Sequence, residues 1–363
     1  MSRDALHYKQ NNMHNWQKAH TNEQFRRKLM IREALIDGIR QFFKQREFHE
    51  VETPLFVTHP DPEPTIEPFV TSLELMDGTA IAGFLTTSPE FNMKKLLAAG
   101  FGSIFQICKA FRNGEPPSSR HNSEFTILEW YRVDADYLDI MQDCEELLRF
   151  LLQHVKDPHD QQVQSSKLLY QGREYNLAPA WERLSVLEGF AKYGQIDEQT
   201  FFDRNLFAAT MQEKGYQVAD TDSLLDLQTQ LLVQEIEPQL GRDTPTFLYD
   251  YPADQAALSR KKADDPRLAE RFELYLAGLE LGNAFSELAD HDEQAARLRS
   301  QQQERRKSGK RSWDPDEDFL AALKVGIPTT GGIAVGVDRL VMLFADTTDI
   351  QETLLFPQRE LIE

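Results

Sequence analysis

Cysteine is nearly absent from this 363-residue chain, which has only Cys108 and Cys144. Two cysteines exclude a disulfide framework and a Cys-based zinc site, and both read as small apolar residues. Basic charge is also in deficit. Lys and Arg number 40 against 59 Asp and Glu, a formal charge of −19. Such a balance argues against broad binding to a nucleic-acid backbone, though not against a local anion pocket. No apolar run approaches the roughly 20 residues that span a bilayer. The start, MSRDALHYKQNNMHNWQKAH, lacks the apolar core of a signal peptide. No repeat with a period of about 20–50 residues is present. A cytoplasmic enzyme or binding protein with no membrane partner is expected.

What is present is an ordinary globular composition, 40% hydrophobic, with 23 Phe that suit sheet packing. Residues 1–21 read as a polar, disordered tail, with Thr21 as the cap of a helix over residues 23–47. Leu29, Ile31, Leu35, Ile39, Phe42 and Phe43 recur there at helical spacing. That helix and the extended piece after it can pack on the domain or on a second copy. Residues 59–68 (HPDPEPTIEP) are a Pro-rich loop. Two strands, 69–75 and 80–86, flank the turn signal Asp77-Gly78, and Ser88-Pro89-Glu90 opens a helix. Helices are expected at 138–155, 184–193, 199–214, 223–236 and 290–307, and single strands at 245–251 and 271–281. A small hairpin is expected around Gln171-Gly172.

Two stretches carry the chemistry. Residues 104–137, IFQICKAFRNGEPPSSRHNSEFTILEWYRVDADY, read as a long antiparallel hairpin. Alternation on its second strand places Phe125, Ile127, Glu129 and Tyr131 on one face, which suits a planar base and an ammonium group. Residues 331–343, GGIAVGVDRLVML, put Gly332, Ala334 and Gly336 on one strand face where a flat ligand can lie against backbone. Arg339 then falls at a helix start, where anions bind. Each stretch also has a plain structural reading, as a charged hairpin tip and as tight packing of small residues.

Taken together, three separated motifs resemble those of the class II aminoacyl-tRNA synthetase catalytic domain. Glu52-Thr53-Pro54 after the long helix is similar to motif 1. Phe111-Arg112-Asn113, Arg120-His121 and Glu124-Phe125-Thr126 are similar to motif 2, and the run from Gly332 to Arg339 to motif 3. The resemblance implies an α+β fold, a mixed, mostly antiparallel sheet flanked by helices, over residues 22–363, with residues 156–240 a helical elaboration within it. Thr87-Ser88-Pro89-Glu90, His121-Asn122, Leu128-Glu129-Trp130-Tyr131 and the run from Gly282 to Leu288 resemble the lysyl branch. That branch implies ATP and Mg²⁺, with Arg112 and Arg339 catalytic. ATP would be held by Arg112, Asn113, Glu115, Asn122, Phe125, Glu280, Leu281, Gly336 and Arg339. Lysine or a relative would be held by Ser88, Glu90, Glu129, Tyr131, Glu287 and Ala334. Glu280 and Glu287 would hold the metal, and motif 1 implies a homodimer.

Within the branch, Ser88, Ala334 and residues 253–258 (ADQAAL) resemble the stand-alone elongation factor P–(R)-β-lysine ligases. No anticodon-binding domain is expected, and the acidic charge disfavours tRNA. The implied activity is formation of an aminoacyl-adenylate from (R)-β-lysine or lysine, then transfer to a lysine of elongation factor P. A truncated lysyl-tRNA synthetase-like enzyme and a non-catalytic dimeric module are the alternatives. One departure stands out. Gly114 replaces the Glu that the family carries after Arg-Asn, and the loop holding Pro116-Pro117 is one residue longer, so Glu115 is the candidate replacement.

Overall fold

The computed structural model describes residues 13–115, 118–155, 166–256 and 258–362. The predicted disordered tail is in part a helix, α1 (Asn15–Thr21); residues 1–12 lie outside the described set. Asn15 is buried, and its side-chain amide donates to the carbonyls of Gln351 (2.7 Å) and Leu354 (2.8 Å), which docks α1 on the C-terminal segment. Helix α2 (Glu23–Lys44) is capped by Asn22, not Thr21, because the Asn22 side chain accepts from the Phe25 amide.

Eight strands form the main sheet, in the order β1 (His49–Glu50), β5 (Ile104–Phe111), β6 (Glu124–Val133), β13 (Thr330–Gly336), β12 (Leu279–Ser286), β11 (Leu268–Leu276), β10 (Thr246–Pro252) and β9 (Glu182–Ser185). Only the outer pairs, β1 with β5 and β9 with β10, are parallel. The expected mixed, mostly antiparallel sheet is therefore the fold. Smaller sheets are β2 (Phe56–Val57) with β4 (Ala80–Leu85) and β3 (Val70–Glu74), and the hairpin β7 (Lys167–Tyr170) with β8 (Arg173–Asn176).

Side-chain alternation divides the sheet into a core face and a cleft face. From β6, Leu128 and Trp130 join Phe105, Ile333 and Val335 in a core closed by Ile39, Phe42 and Phe43 of α2 and by Leu147 and Leu151 of α4 (Tyr137–His154), which follows α3 (Glu90–Ala98) in the chain. Phe125, Ile127 and Glu129 face the cleft. A second core, around Phe190, Phe201 and Phe207, belongs to the segment between β9 and β10. That segment is not the simple helix series expected, since residues 182–185 are strand β9 and residues 190–194 a π-helical turn.

The expected single strand at 271–281 is instead the hairpin of β11 and β12. Ala277 and Gly278 both adopt positive φ (55° and 73°), as a two-residue hairpin turn of this hand requires. Asp338, in the first turn of α7 (Val337–Phe344; α5 is His291–Lys307 and α6 Glu317–Val325), locks the sheet to α2. Its carboxylate accepts from Arg32 at 2.5 Å and from the Thr126 amide at 2.8 Å. No helix among the described residues is long and apolar enough to cross a membrane.

Candidate active site

The cleft over the sheet runs from Phe125 and Arg339 past Glu129 and Ser88 to the Pro-rich loop at Asp61. At its first end, the carbonyl of Ser123 accepts from the Arg112 amide (2.9 Å), which sets Arg112 at the exit of β5. The Arg112 guanidinium lies 5.2 Å from the Phe125 ring centroid, and its buried Nε has no hydrogen-bond partner among the described residues. A cation with a buried, unfilled donor is a strong anion receptor. Arg339, in the first turn of α7, donates to the Glu280 carbonyl at 2.6 Å and lies 3.3 Å from the Glu280 carboxylate. Its other guanidinium nitrogen lies 3.1 Å from His121 Nε2. Burial, and then the Arg339 charge, hold the His121 pKa below its usual value, so the neutral ring accepts from Arg339.

The opposite end is an acidic, buried pocket. Glu129 is 1% exposed. Ser88 Oγ donates to its Oε1 at 2.6 Å and Tyr131 donates to its Oε2 at 3.1 Å. Burial pushes the Glu129 carboxyl up to about 8, with the Glu90 charge adding to it. Gly332 makes this packing possible: a Cβ there would fall 2.4 Å from Glu287 Oε1 and 2.5 Å from the Tyr131 ring. A resident cation also sits here. Lys94 of α3 is fully buried, with Nζ 2.5 Å from Glu90 and 2.5 Å from Glu287. Burial draws its pKa down, but Glu287 and Glu90 outweigh that and leave it raised, so it stays charged. Removing one partner of a buried ion pair costs about 3–5 kcal/mol. Lys94→Met is accordingly expected to lower the unfolding free energy by that amount in urea titrations. A loss below about 1 kcal/mol would contradict the assigned charge state.

Residues 9–360 match the model of the class II tRNA synthetases for D, K and N. The lysine–tRNA ligase of Synechococcus sp. (strain RCC307) is 39% identical over 338 residues, covering 93% of this chain and 64% of that protein. Those of Magnetococcus marinus and Legionella pneumophila (strain Paris) are each 37% identical over 93% of this chain and 65% of their own length. The chain belongs to the class II tRNA synthetase family. It spans about two thirds of the length of these relatives.

In this class II domain the predicted residues fall into two groups and three corrections. Arg112, Glu115, Phe125, Glu280, Leu281, Gly336 and Arg339 line one part of the cleft, and Ser88, Glu90, Glu129 and Ala334 another, with Tyr131 and Glu287 behind Glu129. Asn113 is the first correction. It is exposed, outside the cleft lining, and its amide bonds the Glu67 carbonyl (2.7 Å). Asn122 does line the cleft, but its amide is engaged within the protein, donating to Glu124 O (2.5 Å) and accepting from Gln358 N (3.1 Å). It shapes the motif 2 loop, and one hydrogen of its amide nitrogen is spent there.

Glu287 is the third correction. Seven residues of strand, roughly 20 Å at 3.3 Å each, separate it from Glu280, so the two share no ion. The carboxylate beside Glu280 is Glu273, missed in the sequence. A bulge in β12 at Leu281 returns Glu280 to the face of Glu273 and Asn283. Burial, and then the Glu273 charge, raise the Glu280 pKa, and Glu237 stands close enough to be pushed up to about 7 by burial and these two charges. Paired hard oxygen donors under mutual repulsion fit Mg²⁺, although the described residues hold no preformed cluster of three metal-ligating side chains. Gly114 has φ +75° and open space around it, so a glutamate there would be strained. Glu115 lines the cleft, and its charge reaches His121.

Proposed function

We propose that this chain uses ATP to activate a lysine-type diamino acid as an aminoacyl-adenylate and then transfers it to a lysine ε-amine of elongation factor P. The observation that carries the first half is Glu129, a buried carboxylate whose hydrogen-bond partners among the described residues are two hydroxyls. An unpaired buried carboxylate needs a cation, and an incoming ammonium group supplies it. Attack of the amino acid carboxylate on the α-phosphorus requires in-line placement and charge neutralisation. Arg112 meets the α-phosphate, Phe125 stacks on adenine, and Arg339 covers its other face or meets the γ-phosphate. Glu273 and Glu280 would hold Mg²⁺, which supplies further neutralisation of the phosphates.

The finer reading, (R)-β-lysine and elongation factor P, is supported by Ser88 and Ala334. Ser88 gives Glu129 a hydroxyl partner that the Ala usual in lysyl-tRNA synthetases lacks. Ala334 lies in register with Glu129 on β13, and its methyl narrows the floor against an α-amino group. A charge of −19 disfavours tRNA. The competing reading, lysyl transfer to tRNA, is favoured by the names of the relatives. A homodimer and a cytoplasmic location belong to the same proposal; exposed Leu73 and Ile81, paired across the small sheet, suit coverage by a second copy.

ATP–pyrophosphate exchange tests the activation step. Exchange with (R)-β-lysine should exceed that with L-lysine, and Ala334→Gly should narrow the gap by about tenfold, the worth of one methyl in a tight pocket. Equal rates in the parent chain, or no response to the substitution, would overturn the β-lysine assignment.

A further inference from the structure

The acidic pocket has more carboxylates than the family motifs account for. Glu90 and Glu287 share Lys94, while Glu287 Oε1 is buried without a hydrogen-bond partner among the described residues. Glu129 has hydroxyl partners only. A fourth carboxylate, Asp61, enters from the Pro-rich loop. Its Oδ1 accepts from the Glu63 amide at 3.1 Å, it lines the cleft, and no described cation forms an ion pair with it. Its electrostatic neighbours are Glu63, Glu90 and Lys94, and burial together with the two glutamates pushes its carboxyl up to about 8.

This loop is held firmly. Arg305, fully buried, donates to the carbonyls of Glu63 (2.9 Å) and Ile66 (2.8 Å) and to the Glu67 carboxylate (2.6 Å). Trp313 donates to the Pro60 carbonyl (2.5 Å) and Lys310 to that of Pro64 (2.6 Å). Five anchors on a loop without regular structure hold Asp61 in place, and such preorganisation favours binding. The polarity of the substrate follows from the two ends of the cleft. Its carboxyl group must face Arg112, and its terminal amine fits the deep end at Glu129, which Tyr131 holds from behind. An amine close to the carboxyl group then lies on the side of Glu90, which is the side from which Asp61 approaches.

We propose that Asp61 is a specificity-determining receptor for the substrate amine nearer the carboxyl group, supplied by the Pro-rich loop and separate from Glu129. The proposal rests on the diamino-acid reading above. Counting Lys94 as the partner of Glu90 and Glu287, it leaves one carboxylate, Glu129 or Asp61, for each ammonium of a diamino acid.

The test compares Asp61→Asn, which keeps the shape and the acceptor for the Glu63 amide, with the parent chain in pyrophosphate exchange. The substrates are 2,6- and 3,6-diaminohexanoate, and 6-aminohexanoate serves as competitor because it lacks only the second amine. The KM for at least one diamino acid should rise about tenfold or more with kcat within about twofold, as for loss of one charge-assisted hydrogen bond. The inhibition constant of 6-aminohexanoate should be the same for both proteins. An unchanged KM for both diamino acids, or an equal loss with 6-aminohexanoate, overturns the proposal. A parent chain that exchanges with neither diamino acid overturns the underlying reading, and this proposal with it.

Discussion

Arg112→Ala should lower kcat/KM for adenylate formation by about 10²–10³-fold, the range for removing one preorganised donor from a developing anion. Its Nε is a buried donor with no hydrogen-bond partner among the described residues, so little in the folded chain depends on it. The substitution should therefore leave thermal stability nearly unchanged while activity collapses. Arg112→Lys should not restore the rate, because a point charge does not reproduce a planar fork. Arg339→Ala is expected to fall as far, but with some loss of stability, since Arg339 also holds the Glu280 carbonyl and carboxylate. Pyrophosphate exchange and thermal melting on the same preparations separate the two cases. A loss below tenfold for Arg112→Ala would remove it from the phosphate site.

Glu129→Gln should abolish activation of the amino acid and, in the absence of ligand, make the protein more stable. Burial raises this carboxyl from the ordinary 4.5 to about 8. A carboxyl with a raised folded-state pKa favours the folded state most at pH below about 4.5. That contribution is lost as pH rises toward 8, because the folded state resists ionisation that the unfolded chain accepts. At pH 8.5 the amide should therefore gain on the order of 2 kcal/mol over the parent, and the gain should vanish near pH 5. Saturating diamino acid should reverse the order at pH 8.5 by binding only the parent. Chemical unfolding at the two pH values measures this. An amide that is less stable at pH 8.5 would show that Glu129 already has a cation partner.

Much of the site was legible before the structure because strand alternation is rigid. Once residues 124–133 are a strand, Phe125, Ile127 and Glu129 must share a face, and in β6 they do. The glycine face of β13 followed from the same rule, and Gly332 does permit an approach that a Cβ would block. The losses came where tertiary contacts decide. Ala277 adopts φ 55° without being Asn, Asp or Gly, so the turn between β11 and β12 carried half its usual signal. Missing it left Glu273 unplaced, while the metal role of Glu287 rested on the resemblance alone. Lys94 was not singled out in the sequence, since nothing local in α3 reveals that Glu287, far along the chain, will meet it. Asp61 was hidden for the same reason: Arg305, Lys310 and Trp313, all distant in the chain, carry the Pro-rich loop over the pocket.

The central claim is that the activated diamino acid ends on a protein lysine. Intact mass spectrometry tests it most directly: the chain is incubated with ATP, Mg²⁺ and (R)-β-lysine or L-lysine, together with purified elongation factor P and lysine tRNA. The account predicts one added lysyl-type residue on elongation factor P, greater with the β-amino acid, and unmodified tRNA. Aminoacylated tRNA with unmodified elongation factor P would contradict it.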